Sequence, residues 1–143
     1  MRRGSLLALV LLVVSCRGAT GPADIRVALE AEFELALGQA AEVDGSGLWI
    51  EFMAVPHDSR CPPYAVCFWA GDARVDLFVW KEGLPGREGR EVELHTNPSI
   101  GRAVATFDIY SLQLRSLRPG FRTGENPEYV VTLRVVELSA YYR

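Results

Sequence analysis

Within the stretch "HDSRCPPYAVCFWAG" (57–71), Cys61 and Cys67 lie six positions apart, closely preceded by His57, Asp58 and Ser59. These residue types support several chemistries, and the spacing separates them. A metal centre would draw on His57, Cys61 and Cys67, with Met53 or His95 as a further soft ligand. Type-1 copper needs two His, one Cys and usually a weak axial Met. Met53 precedes the cysteines, and His95 falls in an alternating stretch. C-x5-C is also not a familiar zinc spacing. A thiol-redox centre wants C-x-x-C beside a helix start, where the thiolate is stabilised; five intervening residues in a β context fit poorly. His57, Asp58 and Ser59 have the residue types of a hydrolase triad, but sequence neighbours cannot point at one another as a triad requires. No glycine-rich phosphate loop or zinc-hydrolase helix motif is present. The chain is therefore read as non-catalytic, with no metal and no cofactor expected.

Two readings of the stretch remain, and they are compatible. In the first, a Cys61–Cys67 disulfide fixes a corner just before a strand. Pro62 and Pro63 already restrict the loop, and a bridge closing so short a loop contributes toward the low end of ~2–4 kcal/mol. Trp69 then packs over the bridge or the core edge, and Gly71 permits a tight approach. In the second, Pro62, Pro63 and Tyr64 form a stiffened recognition loop with Tyr64 at its tip, since pre-organisation lowers the ordering cost of binding.

The elements that must position this loop alternate with period two. Phe33, Leu35 and Leu37 oppose Glu32 and Glu34; Leu48, Ile50 and Phe52 oppose Trp49, Glu51 and Met53. Both faces of the latter stretch are largely apolar, which marks a central strand. "DGSG" (44–47) is a turn signal, because Gly and Asp tolerate positive φ. Val75, Leu77 and Val79, then Val92 and Leu94, then Tyr129, Val131, Leu133 and Val135 continue the pattern. Asp24–Glu34 keeps period two and reads as a strand. In "TFDIYSLQLRSLRPG" the apolar face changes near Tyr110–Ser111, which implies a bulge or break. The expected fold is all-β: an antiparallel, immunoglobulin-like β-sandwich of about seven or eight strands, with a small barrel as the alternative.

Arg2 and Arg3 precede nine unbroken apolar residues, Leu6–Val14, far short of the roughly 20 that span a membrane. This is the pattern of a secretory signal. It ends in Val13-Val14-Ser15-Cys16, which resembles the bacterial lipobox. The resemblance implies cleavage before Cys16 and two or three acyl chains on that residue, enough for stable anchoring. Residues 1–15 are then the signal peptide, 16–24 the lipidated Cys16 and a short tether, and 25–143 one domain. Arg17 after the cysteine, rather than Asp, favours the outer membrane in a two-membrane cell. An exported chain meets an oxidising environment, in which Cys61 and Cys67 pair. Fifteen basic residues less Arg2 and Arg3 leave 13 against 18 acidic, a formal charge of −5. That balance argues against nucleic acid and against electrostatic attachment to anionic lipid.

The segment "DSRCPPYAVCFWAGDARVDLFV" resembles a motif of uncharacterised bacterial secreted and lipid-anchored domains: Asp-Ser-Arg-Cys-Pro, a short gap, then Cys-x-Trp-Ala-Gly and a strand. The likeness runs from Glu32 to Val79. It implies that Asp58, Arg60, Cys61, Cys67, Trp69 and Gly71 are signature positions, and it carries no activity. Asp58 is suited to accept backbone N–H bonds at Ser59 or Arg60, and Arg60 to lie over Trp69 or pair with Asp58 or Asp72. The function expected is a lipid-anchored binding or scaffolding domain of the cell envelope, with the membrane and an envelope or extracellular protein as partners. A protease or lysozyme inhibitor acting through the Cys61–Cys67 loop is the alternative, and a metal-binding envelope protein a more distant one.

Overall fold

The computed structural model describes residues 24–82, 89–121, 124 and 127–138. The apolar run, Cys16 and the tether before residue 24 lie outside them. Among the described residues are nine strands: β1 (Ile25–Val27), β2 (Glu32–Ala36), β3 (Ala40–Val43), β4 (Leu48–Asp58), β5 (Ala73–Lys81), β6 (Gly89–His95), β7 (Val104–Phe107), β8 (Tyr110–Arg118) and β9 (Val130–Glu137). They form two sheets, ordered β1-β3-β4-β5-β6 and β2-β9-β8-β7. The architecture is an antiparallel β-sandwich, not a closed barrel. One pairing departs from antiparallel: β1 runs parallel to β3, with Ile25 opposite Ala41 and Val27 opposite Val43.

Alternation builds the core. Leu48, Ile50 and Phe52 of β4 and Val75, Leu77 and Val79 of β5 are fully buried, and Leu35, Val131 and Leu133 meet them from the second sheet. Each fully buried side chain of this size contributes about 1.5–3 kcal/mol against the entropy of ordering the chain. β4 lies between β3 and β5, as its doubly apolar pattern requires. The Asp44–Gly47 turn forms, with Gly45 and Gly47 at φ 71° and 67°.

Two local expectations are corrected, and one strand was unforeseen. Asp24–Glu34 is not one strand: β1 and β2 belong to different sheets. Glu30 stands between them at φ 66°, its N–H donating to the Val135 carbonyl at 2.8 Å. The left-handed residue redirects the chain while the period-two pattern runs through unchanged. Ala40–Val43 is a strand, although its small residues gave no strand signal. The change of face comes at Asp108–Ile109, earlier than Tyr110–Ser111: Asp108 has φ 52°, and Phe107 pairs with Tyr110 across the hairpin. Ile109 therefore sits exposed in the turn. A separate register shift falls between Leu114 and Ser116.

Candidate recognition loop

The segment joining β4 to β5 leaves one end of the sandwich through a narrow neck. The Ser59 N–H and hydroxyl donate to the Asp72 carbonyl at 2.7 and 3.1 Å, and the Asp72 N–H donates back to Ser59 Oγ at 3.1 Å. Gly71 is required here. A Cβ at this position would stand 1.7 Å from the Ser59 carbonyl oxygen, so any side chain would force the two legs apart. Beyond the neck, the Cys61–Cys67 disulfide is present, and the Ala65 N–H closes a turn on the Pro62 carbonyl at 3.0 Å.

Each leg is tied down by a buried carboxylate. Asp58 accepts the Arg60 N–H at 3.1 Å and its Nε at 2.9 Å through Oδ1, and its Nη2 at 2.6 Å through Oδ2. The Tyr129 hydroxyl adds a bond to Oδ2 at 2.9 Å, and Arg60 Nη1 reaches the Leu117 carbonyl at 2.7 Å. The expectation for Asp58 thus holds at Arg60, and Arg60 pairs with Asp58 rather than with Asp72 or Trp69. These contacts join the first leg to β8 of the opposite sheet. Burial alone would raise the Asp58 carboxyl, but the Arg60 and Tyr129 bonds outweigh it and hold its pKa below the ordinary value.

On the second leg, Asp72 Oδ2 lies 2.5 Å from His95 Nδ1, and Oδ1 accepts the Asn97 N–H at 2.9 Å and the Thr96 hydroxyl at 3.2 Å. The Asn97 amide donates to the Ala70 carbonyl at 2.9 Å, gripping the loop itself. His95 Nε2 faces Glu93 Oε1 at 2.9 Å. Burial pushes the Asp72 carboxyl up, yet the His95 bond and the Asn97 N–H leave it below its ordinary value. The bonds to Asp72 and then Glu93 hold the His95 imidazole above its own.

So anchored, the loop presents apolar side chains to solvent. Tyr64 and Trp69 are each 81% exposed, Phe68 100% and Val66 103%. Trp69 therefore does not pack on the bridge or the core edge; its ring contact is with Phe68, 6.3 Å away and tilted. The closed neck is the reason, because residues beyond it project past the sheet and have no core to fold into. Tyr64 is at the surface as expected, its ring edge-on to Phe121 at 5.9 Å. His57, Asp58 and Ser59 separate, with Asp58 engaged by Arg60 and Tyr129, Ser59 by Asp72, and His57 exposed. The cysteines are consumed by the bridge, and among the described residues no group of three His, Cys, Asp or Glu is placed to hold a metal. A groove of about 330 Å³ lies over β6 and β7, lined by Arg90, Glu91, Glu93 and Arg102 with Val92 and Ala105.

Sequence reading missed Val66 and Phe68 as surface residues. The available signal was that no side chain from Cys61 to Gly71 carries a charge, while Arg60 and Asp72 bracket the run. It also missed the clamp of Asp72, His95 and Asn97, whose members are too far apart in sequence for any motif. The chain matches no protein-family model, no curated protein and no solved structure.

Proposed function

We propose that this chain is a lipid-anchored, extracytoplasmic binding domain of the bacterial cell envelope, non-catalytic, that makes its contact through residues 62–69. One observation carries the reading: four large apolar side chains, Tyr64, Val66, Phe68 and Trp69, stand in solvent on a loop cross-linked by Cys61–Cys67 and held at both legs by buried carboxylates. Contiguous exposed apolar surface on a soluble fold marks an interaction site. Holding it rigid removes ordering entropy that binding would otherwise cost. The lipobox-like Val13-Val14-Ser15-Cys16 supports attachment to a membrane.

The test is co-sedimentation of residues 17–143, made in an oxidising compartment, with isolated envelope fragments. The wild-type domain should pellet, while Phe68→Ser/Trp69→Ser stays in the supernatant with an unchanged melting temperature. Equal pelleting of the two proteins would refute a contact through the loop. In cells, Cys16→Ser should leave an unprocessed precursor or release the chain from the membrane fraction. Normal processing with full retention would refute the lipid anchor.

A further inference from the structure

The strand directions point the N-terminal end of β1 toward the end of the sandwich that carries the loop. β3 is antiparallel to β4 and β1 is parallel to β3, so β1 runs opposite to β4, and the chain reaches β1 from the end at which β4 releases the loop. Asp24 sits at the level of Ala40, whose N–H it accepts at 3.3 Å, and Ala40 is paired with Glu51. Glu51 pairs with Phe78, and Asp58, at the loop's base, pairs with Ala73. The two levels are thus five residues apart along β5, roughly 17 Å. Cys16 and Asp24 are eight residues apart, which spans at most about 26–29 Å. Cys16 can therefore reach roughly 9–12 Å past the base of the loop.

The composition of that end suits a bilayer. The uncharged run 61–71 carries Tyr64, Val66, Phe68 and Trp69 outward, and Ile100, 60% exposed, is held nearby by the turn whose Asn97 holds Ala70. The carboxylates of the neck are withdrawn, Asp58 onto Arg60 and Asp72 onto His95. The charged side chains described beside the neck are Arg118, paired with Glu34, and the exposed Glu128 on the second sheet, with Arg74 and Glu93, paired with each other, on the first. Tyr and Trp, with an apolar body and a polar tip, belong at the headgroup level. A protein interface uses roughly one hydrogen bond per 100–200 Å², and this run offers few side-chain groups to make them.

We propose that the Cys61–Cys67 loop inserts into the interface of the same bilayer that holds the Cys16 acyl chains, so that the sandwich stands on the membrane at two points. This rests on the lipid-anchor reading and names the loop's occupant as phospholipid. Trp49 and Trp80 supply an internal control. They pair with each other, and Trp80 is seven residues along β5 from Ala73, roughly 23 Å from the loop's base.

The experiment uses the mature lipid-modified chain in protein-free vesicles of phosphatidylethanolamine and phosphatidylglycerol with brominated acyl chains. Flotation of the vesicles reports the anchor, and tryptophan emission reports the loop. The wild type should float and lose at least half of the emission attributable to Trp69. Trp69→Phe should float equally, with its remaining emission unquenched. A floating chain with unquenched Trp69 would overturn the insertion, leave the anchor standing and assign the loop to a protein partner. Quenching that persists in Trp69→Phe would overturn the orientation. A chain that does not float would refute the anchor, and the reach argument with it.

Discussion

Asp58→Ala is the sharpest test of how the loop is mounted. The Asp58 side chain is 2% exposed and that of Arg60 10%. Removing the carboxylate leaves a guanidinium in a largely buried position, with the Leu117 carbonyl as its remaining partner among the described residues. It also removes the acceptor of the Arg60 N–H and the Tyr129 hydroxyl's bond to Oδ2. Breaking a buried pair from one side costs about 3–5 kcal/mol, most of it from the uncompensated charge. For a domain of this size, that lowers the melting temperature by roughly 10–20 °C. The Arg115–Glu32 pair, half exposed on both sides, is the matched control, and Glu32→Ala should scarcely move the transition. The sign of the pH effect is also fixed. Asp58 is held below its ordinary carboxyl value, so its contribution is full above about pH 4 and is lost as pH falls through the lower folded value. Asp58→Asn should therefore flatten the acid limb of stability against pH. Urea melts of the three variants across pH 2–7 check all of this. If Asp58→Ala is no more destabilised than Glu32→Ala, Arg60 has another outlet and the mounting described here is wrong.

The remaining predictions concern the neck and the clamp. Gly71→Ala should cost about 1–3 kcal/mol, because the obstacle is the Ser59 backbone rather than a movable side chain; faster proteolytic nicking within 61–70 would show the legs parting. His95 is raised by Asp72 and then Glu93, so its stabilising charge is complete below about pH 6.5 and lost as pH rises through the higher folded value. Opposite it, Asp72 is held down, so the clamp is intact between the two and weakens on either side. NMR titration of the His95 ring should give a midpoint that falls toward the ordinary value in Glu93→Gln, and an unmoved midpoint would refute the coupling. Reduction should add two hydrogens to the intact mass of residues 17–143 and expose one pair of alkylatable thiols. Two thiols already reactive in protein made in an oxidising compartment would refute the bridge. Trp69→Ala and Tyr64→Ala should each change stability by no more than about 0.5 kcal/mol, since both rings are in solvent. A loss of several kcal/mol from Trp69→Ala would place that ring in the core.

The sheets were legible because burial on one face repeats every second residue, a signal that β5 and the first five residues of β4 carry without interruption. What escaped was set by one residue or by distance. Glu30 and Asp108 turn the chain through left-handed φ values, which side chains of that type permit but do not advertise. Ala40–Val43 is held as a strand by its neighbours rather than by its own propensity. The loop was half legible. Asp58, Arg60 and Gly71 acted locally, within a few residues or across a neck whose Gly is its own signal. Trp69 was misplaced because an aromatic beside a disulfide is usually read as core, and the exclusion that sends it outward depends on the neck. Nothing local ties Asp72 to His95, 23 residues away.

The parallel pairing of β1 with β3 has a mechanical consequence. Force transmitted through residue 24 toward the loop end of the sandwich acts along the strand axis. The bonds joining Ile25–Val27 to Ala41–Val43, with the Asp44 N–H bond to the Val27 carbonyl, are then loaded together in shear. They cannot open one after another as a zipper would. Three residues of strand thereby become the grip between the N-terminal segment and the rest of the domain. Release requires that grip to fail as a unit.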